Sequence, residues 1–394
     1  MKILGLIVEY NPLHNGHIHH LKQSKKLVEP DITIAVMSGH FTQRGEPACT
    51  TKWLRTSLAL ASDIDLIIEL PYAYSNQSAD LFATGAISIL NHLGATHIVF
   101  GSESGDIKEL TNLAHLLDDP EFQGSVKKGL ARGISLPAAH ALANPALTGS
   151  NNTLAIQYIR AIKKLGAIII PLTICRNIDY NEQQPTHATI TSATSIRNLI
   201  NADLDYQSYV PQKLTDPYIK FQNWNNHYKF LRHKLLTISS GELFAIHDMI
   251  EGIENRLISS ARLCSNWEDF LARVATKRYT KTRIQRICAN VLTGFTKSDM
   301  KNWNLHDGAP YVRILGFNEK GSTYLRQAKG SIRVPIYSIF AQNAHPMLKH
   351  EQKVTSAYAS VYYAEYATKI IQQEYQNKPV IANPIIVSDS TLPR

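Results

Sequence analysis

The sequence predicts an α/β fold: a doubly wound parallel sheet in the first half, followed by a mainly helical, basic C-terminal region. Short, nearly unbroken apolar runs alternate with helical spacing through the first 200 residues. Such strands are buried on both faces, as in parallel sheets covered by helices. From about residue 205 the alternation gives way to helical patterns. Charge divides at the same place. Residues 1–200 hold 16 Lys+Arg and 16 Asp+Glu, whereas 201–394 hold 25 and 16 and supply the whole net charge of +9. A chain of 394 residues exceeds a single small core, so two domains are expected, 1–204 and 205–394.

The first strand is expected over residues 3–8, ahead of a turn containing Pro12 and Gly16 and a helix starting near His17. Further buried strands are expected at 32–37, at 65–70 where Pro71 stops the run, at 97–100 and at 167–170. Residues 52–61, 80–93 and 153–165 carry helical spacing between them. Residues 205–224, rich in Tyr, Pro and Gln, read as a connector. Helices are then expected at 228–237, 240–249, 250–260 and 267–276, a strand at 311–317, and one final helix at 353–373.

Composition excludes several classes. No apolar run reaches the roughly 20 residues that a bilayer span needs, and Glu9 follows the first strand too closely for a signal peptide. Cys49, Cys175, Cys264 and Cys288 lie far apart with no C-x-x-C spacing. Neither a structural zinc site nor a disulfide framework is expected, and the cytosol is the expected compartment. The basic second half suits a polyanionic partner, although a solvated basic surface accounts for the same letters.

The most informative stretch is His14-Asn15-Gly16-His17. A helix start after a parallel strand offers unpaired backbone N–H groups and a favourable dipole for a phosphate. Two imidazoles three residues apart reach the same side of that turn, and Gly16 lets a ring or phosphate approach the backbone. In open α/β sheets, ligands bind beyond the carboxyl ends of the strands. Polar clusters fall there: residues 38–47 after strand two, including Arg44, and Gly101-Ser102-Glu103 after strand four. Residues 191–196 place hydroxyls ahead of Arg197, which suits a polyphosphate but equally an ordinary helix cap.

The H-x-G-H after strand one and the Ser/Thr-rich segment ending in Arg197 resemble the nucleotidyltransferase superfamily. The segments 9–17, 37–39, 43–47, 100–103, 277–286 and 315–321 resemble more closely the bacterial tRNA(Met) cytidine acetate ligases, across essentially the whole chain. This resemblance implies an enzyme that activates acetate with ATP, with Mg²⁺ accompanying the nucleotide, and releases pyrophosphate. The acetyl group then passes to N4 of the wobble cytidine of elongator tRNA(Met). It further implies an ATP site formed by Ile7, Val8, Glu9, Tyr10, Asn11, Pro12, Leu13, His14, Asn15, Gly16, His17, Ile18, His19 and His20, with Gly101, Asn152 and Arg176. This chain departs from the family pattern beside Asn152, where Asn151-Asn152-Thr153 leads to Ala155. His14, His17 and Arg197 are the expected catalytic residues, stabilising phosphoryl and pyrophosphate charge; no protein-held metal is expected.

Lys277, Arg278, Lys281, Arg283 and Arg286 form the expected RNA contact, on one broad helix face, with Tyr279 as a candidate stacking partner although a Tyr is more often a packing residue. A solvated basic helix is the plainer account. A small-molecule adenylyltransferase of coenzyme synthesis is the alternative enzyme; it does not call for the basic second half. A non-enzymatic RNA-binding protein is disfavoured by the intact His14, Gly16, His17 and Arg197. No Q/R-x-x-G-x-G/A loop is present, so acetyl-CoA is not the expected donor. No obligate protein partner is evident.

Overall fold

A computed structural model describes residues 1–176, 184, 188–211, 221–250, 252–341, 343–376 and 378–382. The first half runs β1 (Ile3–Val8), α1 (Asn15–Val28), β2 (Ile32–Ser38), α2 (Lys52–Leu60), β3 (Leu66–Leu70), α3 (Tyr72–Ser75) and α4 (Ala79–His92). It continues with β4 (His97–Ser102), α5 (Ile107–Leu116), α6 (Pro120–Ala131), α7 (Leu136–Ala143), α8 (Ser150–Lys164), β5 (Ile170–Cys175) and α9 (Ala193–Asn201). Five helices follow: α10 (Trp224–Thr237), α11 (Ser240–Ala245), α12 (Ile253–Leu263), α13 (Trp267–Val274) and α14 (Lys281–Thr293). The remainder is α15 (Lys297–Asn302), β6 (Val312–Phe317), α16 (Glu319–Ala328), β7 (Ile336–Tyr337), α17 (Pro346–Ala359), α18 (Ala364–Gln376) and β8 (Val380–Ile381). Part of the expected connector, 212–220, lies outside the described residues.

The strands form one sheet in the order β5-β4-β1-β2-β3-β6-β7, with β8 also on β6. β1 pairs in parallel with both β2 and β4, so the strand order reverses beside it. That reversal opens a crevice at the carboxyl ends of β1 and β4. Side chains alternate between two cores, as strand geometry requires. Ile34, Val36 and Ile68 join one, whereas Leu4, Leu6, Ala35 and Met37 join the other.

The doubly wound expectation holds for the first half, with three departures. The fifth strand begins at Ile170, where the expected run ends. Among the described residues it pairs with β4 alone, and it is half-exposed, so it lacks the apolar signal of a central strand, and an edge tolerates Pro171. The strand expected at 311–317 is present, but it lies antiparallel beside β3 in the same sheet. The sheet therefore crosses the 204/205 boundary.

Finally, the helix expected at 353–373 is two helices, α17 and α18. Both return to one buried charge cluster: Glu351 accepts from the Tyr72 N–H at 2.6 Å, and Glu374 meets Lys52 and Arg313 at 2.8 and 2.5 Å. A straight helix would separate Glu351 and Glu374 by about 35 Å, so the chain must turn between them.

Candidate active site

Packing fixes the crevice from below. The buried Arg55 guanidinium donates to the carbonyls of Glu9 (2.7 Å) and Ser38 (2.9 Å), and to Gly39 and Thr50 as well. One side chain thus ties the carboxyl ends of β1 and β2 together. Asn11 Oδ1 accepts from the Cys49 N–H at 2.6 Å, and Arg197 Nη1 donates to the Asn11 carbonyl at 2.8 Å. Arg197 also pairs with Glu46 at 3.1 Å, so α9 is pinned to the loop after β2. Ser192 caps α9 by accepting from the Ser195 N–H, as its sequence suggested.

At the start of α1 the two histidines complete each other's cap. His14 Nδ1 accepts from the Gly16 N–H at 3.1 Å, and His17 Nδ1 accepts from the His14 N–H at 3.3 Å. The ring centroids lie 3.8 Å apart. A neutral imidazole that accepts at Nδ1 carries its proton on Nε2. Burial, with the Arg176 and Arg197 charges behind it, pushes His14 down to about 3. Burial and the neighbouring His14 hold His17 well below its ordinary value. Both rings are therefore neutral Nε2–H donors near pH 7.

These groups open into a cavity of about 1770 Å³. Its wall includes Ile7, Val8, Glu9, Tyr10 and Asn11 from the end of β1, then His14, Gly16, His17, His19 and His20 from α1. Gly101, Arg176 and Arg197 line it as well. Pro12, Leu13, Asn15 and Ile18 support the turn without facing the cavity. Gly101 has a steric reason: a Cβ there would collide with Arg176 Cδ and Cγ, so only glycine lets Arg176 lie across β4. Arg176 Nη1 donates to Asn151 Oδ1 at 3.0 Å.

Asn152 is placed differently from its neighbour Asn151, which does line the cavity. Its Oδ1 accepts from the Glu103 and Ser104 N–H groups at 2.9 and 3.3 Å, and its own N–H donates to Glu103 Oε2 at 2.6 Å. That clasp joins the end of β4 to the start of α8.

The expected RNA segment also divides. Helix α14 begins at Lys281 with Thr280 as its cap, so Lys277 and Arg278 precede the helix and share no helical face with Arg286. Lys277, Arg278 and Lys281 are exposed. Arg278, Arg283 and Arg286 line the cavity that the histidines also line. Arg283 forks onto Asp248 at 2.9 and 2.6 Å and stacks over Tyr279. Tyr279 is buried, and its hydroxyl donates to the Ile250 carbonyl at 2.9 Å. It is a packing residue in this structure, because the stacked Arg283 covers its face.

Sequence reasoning missed an apolar wall. Phe122, Val126 and Leu147, from α6 and the chain before α8, close the cavity beyond Gly101. Nothing in that stretch repeats or carries a motif, so only its spatial position identifies it.

The family model HIGH Nucleotidyl Transferase matches residues 1–374. A tRNA(Met) cytidine acetate ligase of Geobacillus sp. is 37% identical over 403 residues, covering 97% of this chain and all of that relative. The ligase of that name from Bacillus subtilis is 38% identical and covers 96% of this chain and 97% of itself. This chain belongs to the tRNA(Met) cytidine acetate ligase family. Thermotoga maritima TmcAL, in its apo crystal structure, superposes on this member with a TM-score of 0.89 at 30% identity, covering 97% of this chain and 99% of that one. The same T. maritima protein bound with alpha-thio ATP gives 0.87 at the same identity and coverage. The ligase family thus shares this fold over nearly the whole chain, including the sheet strands contributed after residue 204.

Proposed function

We propose that this chain is an ATP- and acetate-dependent ligase that forms acetyl-adenylate and passes the acetyl group to N4 of the wobble cytidine of elongator tRNA(Met). The full-length match to tRNA(Met) cytidine acetate ligases carries this reading. The crevice at the β1/β4 reversal, with its neutral histidine pair, supports it.

In the first step acetate attacks the α-phosphate of ATP and pyrophosphate leaves. No protein nucleophile is required; catalysis is positioning and charge stabilisation. His14 and His17 supply Nε2–H donors at the N-terminus of α1, where the helix dipole already favours an anion. Arg176 and Arg197 supply positive charge from β5 and α9. Among the described residues no group of three or more His, Cys, Asp or Glu side chains converges on a metal position. Magnesium would ride on the ATP phosphates and water, its ordinary habit with nucleotides.

In the second step the exposed Lys277, Arg278 and Lys281 hold the tRNA backbone beside the cavity, while Arg283 and Arg286 face its interior. The donor is acetate with ATP, not acetyl-CoA, and the enzyme acts in the cytoplasm without an obligate protein partner. Among the described residues no helix is long and apolar enough to cross a membrane.

The test is ATP–pyrophosphate exchange with purified protein, scanned over acetate, nicotinate mononucleotide and phosphopantetheine, followed by acetyl transfer to tRNA(Met). Exchange with acetate supports the reading. Exchange only with a coenzyme precursor replaces it with a small-molecule adenylyltransferase.

A further inference from the structure

The ligase reading leaves the proton of the attacking amine without an acceptor. The exocyclic amine of cytosine is not basic, because its lone pair is delocalised into the ring. It must lose a proton as the new bond forms, and a positioned base accelerates that step. We propose that the Glu9 carboxylate accepts this proton, an assignment that rests on the ligase reading.

Glu9 follows directly on β1 and lines the same cavity as the histidine pair, Arg44, Arg283 and Arg286. It is held from both ends. Its carbonyl accepts from Arg55 at 2.7 Å, and its Oε1 accepts from the Gln43 N–H at 2.7 Å. Oε2 has no hydrogen bond among the described residues. Tyr10, with φ at 50°, turns the chain sharply just beyond it. The result is a fixed carboxylate with one oxygen available to the cavity.

The charged groups around it set its basicity. Burial raises its pKa above the ordinary carboxylate range, and Glu46 on the β2 loop adds to that. The Gln43 N–H, Arg44 on the same loop and Arg197 on α9 pull it back down, less strongly than burial raises it. Arg55, on α2, touches only its carbonyl. A carboxylate raised in this way is a better base than one in water.

The other carboxylates at the cavity, and four of its histidines, are less suited to the role. Glu46 is paired with Arg197, and both oxygens of Asp248 are taken by Arg283. Asp80 lies exposed in the first turn of α4. His14 and His17 accept at Nδ1, so each presents a proton to the cavity rather than a lone pair. His20 Nε2 is closed off from solvent, and His247 Nε2 meets Gln77 at 3.0 Å.

The step balances as follows. The cytidine N4 attacks the carbonyl carbon of acetyl-adenylate, and the C–N bond forms. The bond from that carbon to the phosphate oxygen breaks, and AMP leaves with the electron pair. The N4 proton passes to Glu9 Oε2 and then to solvent.

Two assays on Glu9→Gln test this. ATP–pyrophosphate exchange with acetate reads the first step, and single-turnover transfer from synthetic acetyl-adenylate to tRNA(Met) reads the second. Transfer slowed about 10²- to 10⁴-fold, well beyond any accompanying fall in exchange, is the expected result. In wild type the transfer rate rises with pH through a midpoint above 4.5; Glu9→Gln loses that rise and Glu9→Asp keeps it at a lower rate. Unchanged transfer overturns the proposal while leaving the ligase reading intact. Parallel loss of exchange and transfer in Glu9→Gln, with no separate pH response in Glu9→Asp, also overturns it and makes Glu9 part of the ATP site. Wild-type protein that shows neither acetate exchange nor transfer removes the ligase reading itself, and this assignment with it.

Discussion

At the scale of single residues, the site is built from donors whose protonation is decided by the backbone. His14 and His17 use Nδ1 to finish a helix cap, which leaves Nε2–H for a phosphate. His17→Ala should slow acetyl-adenylate formation by about 10²-fold or more, since it removes one preorganised donor. Filter binding of tRNA should be unaffected; a parallel fall would mean that the ring is only a helix cap. Gly101 acts by being absent. In Gly101→Ala the new Cβ drives Arg176 off β4. With that charge displaced, ATP binding should weaken about tenfold by titration calorimetry, with little change in melting temperature.

At the scale of elements, the joint between the sheet and the last helices is a buried charge cluster. Lys52 sits between Glu69 and Glu374 at 2.6 and 2.8 Å, and Arg313 meets the same two carboxylates at 2.8 and 2.5 Å. These two cations balance Glu69 and Glu374, leaving Glu351 as a third buried carboxylate. Burial and the nearby Glu69 push Glu351 up to about 8, whereas Arg313 and Lys52 outweigh burial and hold Glu374 at about 2. The two act on stability in different pH windows. Glu374 stabilises the fold above 4.5, and this is lost as pH falls towards 2. Glu351 stays protonated in the fold while the unfolded chain ionises, so stability falls as pH rises from 4.5 to 8. Glu351→Gln should therefore melt higher than wild type at about pH 8, and the gain should shrink at about pH 5, measured by differential scanning calorimetry. An equal gain at both pH values would mean that Glu351 is ionised in the fold.

At the scale of the whole molecule, the basic half contributes both walls and surface. Gly45, in the loop after β2, has φ of 76°, and a Cβ there would collide with the Arg286 backbone nitrogen. The loop therefore packs directly on α14, and this brings Arg283 and Arg286 to the nucleotide crevice. The exposed Lys277 and Lys281 lie just outside it. Lys277→Glu with Lys281→Glu should weaken tRNA(Met) binding and flatten its dependence on salt, by about one unit of log–log slope for each phosphate no longer neutralised. ATP–pyrophosphate exchange should be unchanged. An unaltered salt slope would place the tRNA on another surface.

Local signals made much of this legible in the sequence. The central strands were readable because parallel pairing on both sides demands unbroken apolar runs, and the His14–His17 turn was readable because two imidazoles at a helix start after a parallel strand suit a phosphate. Residues whose role depends on distant partners were not. β5 lies further along the chain than the expected run because an edge strand needs little apolar pattern, and β6 joins the first-half sheet because antiparallel pairing with β3 bridges segments far apart along the chain. Arg283 reads as a surface residue on a basic run and Tyr279 as either a base stacker or a packing residue, yet contacts with Asp248 and Ile250 turn both inward. The sequence by itself determined the α/β class, the histidine-bearing turn after β1 and the uneven charge, all carried by neighbours along the chain. Only the tertiary structure decided which cations face the cavity, which carboxylate keeps an oxygen available, and that one sheet joins both halves. Those outcomes depend on which groups burial brings together, and burial is set by packing between segments far apart in sequence.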